Sequence, residues 1–213
     1  MLKTEKQLSI VVTIVLSIVF LFLLLWLGSQ IALLNANWGF AQTVSHEEEA
    51  LRRQVVTTAE SWLGCNEADG SHEAIIDLYN SHTPLARGYA VTYRDSWCAT
   101  FCSAVAIQLE LTQIIPTECG CERQIGLFDD LGRWVEDDSY VPLPGDLIYY
   151  SSSDQGVGDC EKWSDHVGIV VGTWYRYIKV IEGNYADRVQ YRIIPVDDIN
   201  IRGFAVPDYE SIT

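Results

Sequence analysis

Residues 8–27 form an uninterrupted apolar run without a single charge, and this run limits what the chain can fold into. Its few polar side chains are hydroxyls. At a rise of about 1.5 Å per residue, about 20 residues span the roughly 30 Å hydrocarbon layer of a membrane. The sequence therefore predicts a transmembrane helix over residues 8–27, which contacts the membrane, preceded by a short polar segment at 1–7.

A cleaved signal peptide is the competing interpretation of this run, because it also has a basic start and an apolar middle. The apolar core of a signal peptide usually holds only about 7–15 residues. The nearest small-x-small cleavage pattern, at residues 39–41, lies far beyond the run. We therefore favour an uncleaved single-pass anchor. Lys3 and Lys6 precede it, which predicts that residues 1–7 are cytoplasmic and that the large domain is extracytoplasmic.

The charge of the large domain excludes one class of partner. The whole chain has 14 basic and 29 acidic residues and a formal charge of −15. Residues 1–27 contain two Lys and one Glu, so the remainder has 12 basic and 28 acidic residues and a charge of −16. No cluster of basic residues is visible in this sequence. We expect such a domain to repel nucleic acid rather than bind it.

The rest of the chain divides into a tether and one domain in which helices precede strands. Residues 28–44 contain Asn and Gly that break any regular pattern, and the folded domain is expected over 45–213. Ser45 with Glu48 three residues later is a capping-box pattern that predicts the start of the first helix. Beyond Pro142, short β-rich runs alternate with turns. The predicted fold class is α+β, with an antiparallel sheet of about five strands.

Cys98 begins a segment that is predicted to be a helix. Phe101, Cys102, Val105 and Leu109 recur after it at helical spacing. A thiol at a helix N-terminus is next to unpaired backbone N–H groups and the positive end of the helix dipole, and both favour the thiolate, which is the attacking form. The competing interpretation is a buried or disulfide-bonded cysteine, since the chain has six cysteines and disulfides are permitted outside the cytoplasm. A later helix is predicted over residues 123–131.

His166 is the strongest candidate for the base that such a thiolate needs. It begins an apolar strand directly after a polar loop. The other three histidines are expected to be solvated: His46 and His72 fall in the first turns of charged helices, and His82 falls in a polar loop.

A third polar group must hold the base in the correct tautomer and orientation. Glu182 and Asn184 lie at the end of the strand that follows His166, so pairing of the two strands brings either residue beside the imidazole. Either side chain can accept a hydrogen bond from His166 Nδ1. The carboxylate would stabilise the imidazolium more, whereas the amide would orient the ring without adding charge.

Five segments of this chain resemble, in their order, the CHAP family of cysteine, histidine-dependent amidohydrolases and peptidases. The resemblance covers about residues 49–209. The segments are Trp97-Cys98-Ala99-Thr100-Phe101, Pro144-Gly145-Asp146-Leu147-Ile148-Tyr149, Asp165-His166-Val167-Gly168-Ile169-Val170, Ile181-Glu182-Gly183-Asn184 and Ile201-Arg202-Gly203-Phe204.

The resemblance implies a papain-like fold and assigns the roles of the site. It implies that Cys98 is the nucleophile, that His166 is the base, and that Glu182 or Asn184 is the orienting group. It also implies that the substrate is a peptidoglycan peptide, cut at an amide bond by an amidase or an endopeptidase. Three aromatic residues neighbour these positions and are candidates for lining the substrate cleft: Trp97, Trp163 and Tyr185.

Two other functions use the same features. One is a tethered, non-catalytic module that binds the cell wall or acts as a scaffold. The other is an acyltransferase that uses the same Cys–His pair with an amine as acceptor. The presence of a thiol, an imidazole and a carboxylate or amide together favours an enzyme over a binding module, which has no need of all three.

No metal or other cofactor is predicted. Cys119, Cys121 and Cys160 with a histidine form only a weak zinc pattern, because Cys-x-Cys places two ligands closer than the usual gap of about two to four residues. No Asp-x-Asp-x-Asp-Gly calcium loop is present. Cys102 lies one turn after Cys98, and we interpret it as a packing or disulfide-bonded residue.

Overall fold

The computed structural model of the chain describes residues 2–34, 38–39, 43–137, 139–153 and 163–212. It divides into two compact units, Met1–Asn37 and Trp38–Thr213. Each unit is described by itself.

The first unit is the single helix α1 (Leu2–Leu34). Its 22-residue segment Val11–Ala32 contains an 18-residue window with a mean hydropathy of 2.9, so α1 is long and apolar enough to cross a membrane once. An N-terminal signal sequence can also meet this test of length and composition. The helix continues past the end of the predicted anchor, so residues 28–34 of the predicted tether are helical rather than irregular.

The second unit has the predicted order of helices followed by strands. Its helices are α2 (His46–Glu60), α3 (Glu73–Ser81), α4 (Cys98–Gln108) and α5 (Cys121–Asp130). Its strands are β1 (Trp134–Val135), β2 (Leu147–Tyr150), β3 (His166–Trp174), β4 (Tyr177–Glu182), β5 (Gln190–Pro195) and β6 (Ile201–Ala205). In the described residues they form one sheet in the order β1-β6-β2-β3-β4-β5, and each neighbouring pair is antiparallel. The α+β class is confirmed, with one strand more than predicted.

Helix α2 begins where the sequence predicts it. Ser45 Oγ accepts a hydrogen bond from Glu48 N–H at 3.1 Å, which satisfies one of the unpaired donors of the first turn. The Glu48 carboxylate does not complete the capping box, because it accepts a hydrogen bond from Arg52 Nε at 2.7 Å. Only half of the predicted box therefore forms.

Helix α4 lies inside the core, and the central strand β2 is buried on both faces. Every residue of α4 from Cys98 to Ala106 is buried. Leu147 and Tyr149 belong to the same apolar cluster as α4, whereas Ile148 and Tyr150 belong to a second cluster. This alternation follows from the two-residue period of a strand. Strand β3 pairs with β2, and α4 shares an apolar cluster with both strands. Cys98, at the start of α4, and His166, at the start of β3, therefore lie in one region of the domain.

The Pro-Gly-Asp turn before β2 joins distant parts of the domain through Asp146. Its Oδ1 atom accepts a hydrogen bond from Arg52 Nη1 at 2.7 Å, and its Oδ2 atom accepts one from Tyr140 O–H at 2.7 Å and one from Leu143 N–H at 2.8 Å. Asp146 is fully buried and Arg52 is 3% exposed. A buried ion pair with this many hydrogen bonds holds α2 against the start of β2.

Candidate active site

Cys98 is the first residue of α4 and has a free thiol. The Ala99 backbone N–H, in the first turn of the helix, contributes to lowering the pKa of the thiol. The residue is only 5% exposed, so the thiol lies at the base of the site rather than on an open surface. The predicted position at a helix start is confirmed, and a disulfide at Cys98 is not formed in this structure.

His166 is the first residue of β3, and the segment before it is tied to its neighbours. The Ser164 hydroxyl and the Asp165 backbone N–H both donate to the Tyr150 carbonyl oxygen, each at 2.9 Å. The Ser164 backbone N–H donates to Glu122 Oε2 at 2.9 Å. These bonds attach the start of β3 to β2 and to α5. His166 and Cys98 are close enough for each to shift the pKa of the other.

Glu182 is the carboxylate that contacts the imidazole. Its Oε2 atom lies 3.3 Å from His166 Nε2, and its side chain is fully buried. The prediction that Nδ1 contacts this group is wrong, because Nε2 is the ring nitrogen that lies next to Glu182, on β4. Asn184 takes a left-handed backbone conformation with φ 57° two residues later, in the turn that leaves the strand. Asn tolerates that conformation better than most residues.

Two glycines make this contact sterically feasible. A Cβ atom at Gly168 would lie 2.6 Å from Glu182 Cγ and 2.5 Å from Val180 Cγ1. A Cβ atom at Gly183 would lie 2.4 Å from Phe101 Cβ, on α4. Real Cβ atoms do not come this close to other carbon atoms, so Gly168 leaves room for the Glu182 side chain, and Gly183 lets the first turn of α4 approach the end of β4.

The surroundings of Cys98 favour its thiolate. A hydrogen bond from the Cys121 thiol lowers the pKa of Cys98, burial opposes this by raising it, and the hydrogen bond and positive charge of His166 lower it further. The net result is a pKa well below that of an ordinary thiol. A lowered pKa of this kind is typical of reactive cysteines.

The surroundings of His166 favour its protonated form. Burial lowers the pKa of His166, but the hydrogen bonds to Cys98 and Glu182 and the charges of both partners outweigh it and raise the pKa to about 9. The lowered pKa of Cys98 and the raised pKa of His166 both favour a thiolate–imidazolium pair backed by the Glu182 carboxylate.

The structure places two residues around this ion pair that the sequence analysis missed. The Tyr150 ring stacks on the His166 ring with centroids 5.8 Å apart and an angle of 29°. The Arg192 guanidinium lies 4.2 Å from the centroid of Tyr150, and its Nη1 atom is 3.8 Å from Glu182 Oε2. Both residues lie within ordinary β-rich runs, and only the register of the strands reveals that they meet.

The three aromatic cleft candidates differ in exposure. Trp97 is fully buried and its indole N–H donates to Glu67 Oε1 at 2.9 Å, so it packs behind the nucleophile and does not line an open cleft. Trp163 is 76% exposed and Tyr185 is 37% exposed. The Tyr185 ring lies 6.0 Å from the His166 ring, so it borders the site.

His72 is not the solvated residue that the sequence analysis expected. It is 4% exposed, and its ring lies 5.7 Å from the buried Trp97 ring. Its Nε2 atom is 3.1 Å from the carbonyl oxygen of Tyr93. His72 therefore packs against the segment that leads into Cys98, whereas His46 is exposed as predicted.

Cys121 is the other residue of the site that sequence reasoning missed. Its sulfur lies 3.6 Å from the Cys98 sulfur, and it is the first residue of α5. The sequence predicts that α5 begins at residue 123, whereas the helix begins at Cys121. Cys121 was therefore not recognised as a residue at a helix N-terminus. The signal that would have found it is a cysteine directly after Gly120, at the same kind of helix N-terminus that singles out Cys98.

The cysteines of the weak zinc pattern have separate partners. Cys119 Sγ accepts a hydrogen bond from Arg87 Nη2 at 3.2 Å, whereas Cys121 contacts Cys98. Cys160 lies outside the described residues. Within the part of the chain that the structure describes, no group of three or more His, Cys, Asp or Glu side chains is arranged to hold a metal ion.

No protein-family model matches the chain, and no curated protein is significantly similar to it. The assignment of function therefore depends on the residues of the site and on the order of the five segments that carry the family resemblance.

Proposed function

We propose that this protein is a membrane-anchored cysteine amidohydrolase that cleaves amide bonds in the peptides of peptidoglycan. One observation carries the proposal: His166 Nε2 lies 3.3 Å from the buried Glu182 carboxylate, and the same imidazole lowers the pKa of the neighbouring Cys98 thiol. These three groups are the ones that thiol-dependent acyl transfer needs. The choice of peptidoglycan as substrate comes from the resemblance to CHAP enzymes.

In the proposed reaction, acylation begins from the thiolate–imidazolium pair. The Cys98 thiolate attacks the carbonyl carbon of an amide bond, and the negative charge moves to the carbonyl oxygen. The backbone N–H at the start of α4 is the available donor for this oxyanion. The C–N bond then breaks, and His166 gives its proton to the departing amine nitrogen. Cys98 is left as a thioester and His166 as a neutral imidazole.

Deacylation uses the same groups in reverse. Neutral His166 takes a proton from a water molecule, whose oxygen attacks the thioester carbonyl carbon. The C–S bond breaks, the product leaves as a carboxylic acid, and the thiolate–imidazolium pair is restored. Glu182 does not accept the proton. It holds the ring and stabilises the imidazolium in both steps.

The anchor supports a role at the cell envelope. We propose that α1 remains attached as a single membrane span and that the domain over 45–213 lies outside the cytoplasm, where peptidoglycan is found. The formal charge of −16 beyond residue 27 is consistent with a domain that does not bind nucleic acid. Trp163 and Tyr185 are then the aromatic residues available to contact the substrate peptide.

Digestion of purified peptidoglycan by the full chain in detergent tests the proposal. Mass analysis of the released fragments identifies the bond that is cut. Cys98→Ala is expected to release no fragments while circular dichroism shows an intact fold, and Cys65→Ser, which removes a thiol outside the site, is expected to retain activity. Retained activity in Cys98→Ala contradicts the proposal.

The same experiment separates the two alternatives. An acyltransferase would join an added amine, such as glycinamide, to the cleaved carbonyl, and the product mass would increase accordingly. A non-catalytic module would sediment with peptidoglycan and release nothing in any variant.

A further inference from the structure

The Cys98 sulfur lies 3.6 Å from the Cys121 sulfur. A disulfide bond is about 2.05 Å long, so the two sulfurs must approach by roughly 1.5 Å to become bonded. Each cysteine is the first residue of its helix, where rotation of the side chain does not disturb the hydrogen bonds of the helix interior. The two thiols are thus neighbours in a position that allows oxidation.

Buried hydrogen bonds fix this contact between the two helices. The Ser103 hydroxyl, on α4, donates to the Glu118 carbonyl oxygen at 2.7 Å and accepts from the Glu118 backbone N–H at 2.9 Å. Gln124, on α5, donates to the Pro116 carbonyl oxygen at 2.9 Å and accepts from the Tyr149 hydroxyl at 2.9 Å. Ser103 and Gln124 are fully buried. The start of α5 is therefore held beside the start of α4.

We propose that Cys98 and Cys121 form a reversible disulfide that switches the nucleophile off when hydrogen peroxide reaches the site. The loss of activity rests on the proposed hydrolase function, whereas the disulfide itself depends only on the two thiols. The proposal assigns to Cys121 the role of a resolving thiol, and Cys102, one turn further along α4, remains a packing residue.

The chemistry proceeds in two balanced steps. The Cys98 thiolate attacks one oxygen of hydrogen peroxide, so the O–O bond breaks, an S–O bond forms, and hydroxide leaves as the sulfur is oxidised to a sulfenic acid. The Cys121 sulfur then attacks the Cys98 sulfur, the S–O bond breaks, and the hydroxyl group leaves as water with the Cys121 proton. The net reaction converts two thiols and one peroxide into one disulfide and two water molecules. A dithiol reverses it by exchange.

The electrostatics of the pair support this order of events. In the reduced site, the hydrogen bond to Cys98 raises the pKa of Cys121, and burial and the negative charge on Cys98 raise it further. Conversion of the Cys98 thiolate into a neutral sulfenic acid removes that charge. Cys121 then deprotonates more readily, when its attack is needed. The disulfide also protects Cys98 from further oxidation to the sulfinic acid, which dithiols do not reverse.

Mass spectrometry of the full chain in detergent tests the proposal after treatment with hydrogen peroxide. Trypsin leaves residues 95–123 as one peptide that contains Cys98, Cys102, Cys119 and Cys121, because no Lys or Arg lies inside it. A second protease that cuts after Glu110 and Glu118 separates the first two cysteines from the last two. Fragmentation of the linked product and the control variant Cys119→Ser then assign the bonded sulfurs.

The expected result is a Cys98–Cys121 link in the native chain and in Cys119→Ser. Activity on peptidoglycan falls in proportion to the linked fraction, and dithiothreitol restores it. In Cys121→Ser the link is absent, Cys98 proceeds to the sulfinic acid, and dithiothreitol restores nothing. Oxidation of Cys98 to the sulfinic acid in the native chain without a link, or a link from Cys98 to Cys102, overturns the proposal.

The readouts separate this inference from the proposed function. If the link forms but the reduced chain releases no wall fragments, the disulfide stands and the hydrolase proposal fails. If the reduced chain digests peptidoglycan and no link forms, the inference about Cys121 fails alone.

Discussion

Glu182 Oε2 lies 3.3 Å from His166 Nε2. The Glu182 side chain packs over Gly168, on β3, where any larger residue would collide with it. Glu182 is fully buried and His166 is 17% exposed on its side chain, so the contact is shielded from water on the carboxylate side. A carboxylate in such surroundings interacts strongly with an imidazolium, because little solvent screens the pair. The glycine is therefore as much a part of the site as the two side chains that it lets meet.

Gly168→Ala is predicted to displace Glu182 and to lower activity. The added methyl group would lie 2.6 Å from Glu182 Cγ, so the carboxylate must move away from its present place beside the imidazole. A displacement of about 1 Å in a catalytic group can reduce the rate by about 100-fold. The measurement is kcat/KM for release of wall peptides by the full chain.

Gly126→Ala is the matched control for this change. Gly126 lies in α5, and a Cβ atom there would have no neighbour within 4 Å. Ala is also the better helix former by about 1 kcal/mol, so this variant is expected to keep its activity and its stability. Equal activity in Gly168→Ala and Gly126→Ala would show that the Glu182 position does not matter for the reaction.

The activity is predicted to have a bell-shaped dependence on pH that extends into the alkaline range. The reactive form has a Cys98 thiolate and a His166 imidazolium. Since the pKa of His166 is raised to about 9, the imidazolium persists below that pH and is lost as the pH rises through it. On the acid side, activity falls when the thiolate is protonated, below the usual range of a thiol because the pKa of Cys98 is lowered.

The rate at which iodoacetamide alkylates Cys98, followed as a function of pH, reports the protonation of the Cys98 thiolate without any substrate. The rate is expected to be high at neutral pH, where a thiol of ordinary pKa, about 8.5, is mostly protonated and reacts slowly.

Glu182→Gln removes the carboxylate charge that helps to raise the pKa of His166, so the fall of activity at alkaline pH should move to lower pH. An unchanged alkaline limb in Glu182→Gln would mean that another group titrates there.

Asp146→Ala is predicted to destabilise the domain by about 3 kcal/mol, because it removes one of the two carboxylates that pair with the buried Arg52 guanidinium and leaves only Glu48. The measurement is the free energy of unfolding from denaturant titration of the full chain in detergent. The triple variant Glu48→Gln, Arg52→Met, Asp146→Ala removes all three buried charges and is expected to recover part of the loss. If the single variant is as stable as the native chain, this ion pair has no structural role.

Much of the fold could be predicted from the sequence because local patterns decide it. Ser45 caps α2, and the five strands β2 to β6 lie beyond Pro142, as predicted. The missed strand β1 has only two residues and pairs with β6 near the far end of the chain. A pattern of alternating residues needs a longer segment than that to be recognised.

The site was predictable only in part, because some of its contacts join residues that are distant in the chain. A thiol at a helix start and a histidine at a strand start are local features, so Cys98 and His166 stand out in the sequence. The approach of Cys121 to Cys98 depends on how α5 packs against α4, and the selection of Glu182 over Asn184 depends on the space at Gly168. Such facts arise from packing between segments that are distant in the chain.

Helix α1 is predicted to stay attached to the domain as a membrane span. The helix is continuous through Leu34, and the small-x-small pattern that ends at Ala41 lies well beyond the apolar segment Val11–Ala32. Signal peptides have shorter apolar cores, of about 7–15 residues, followed closely by the cleavage site. We therefore expect the protein isolated from membranes to have the mass of the uncleaved chain, and an added protease to digest the domain from outside. A mature N-terminus directly after Ala41 would identify α1 as a signal peptide, and protection of the domain in intact spheroplasts would reverse the orientation.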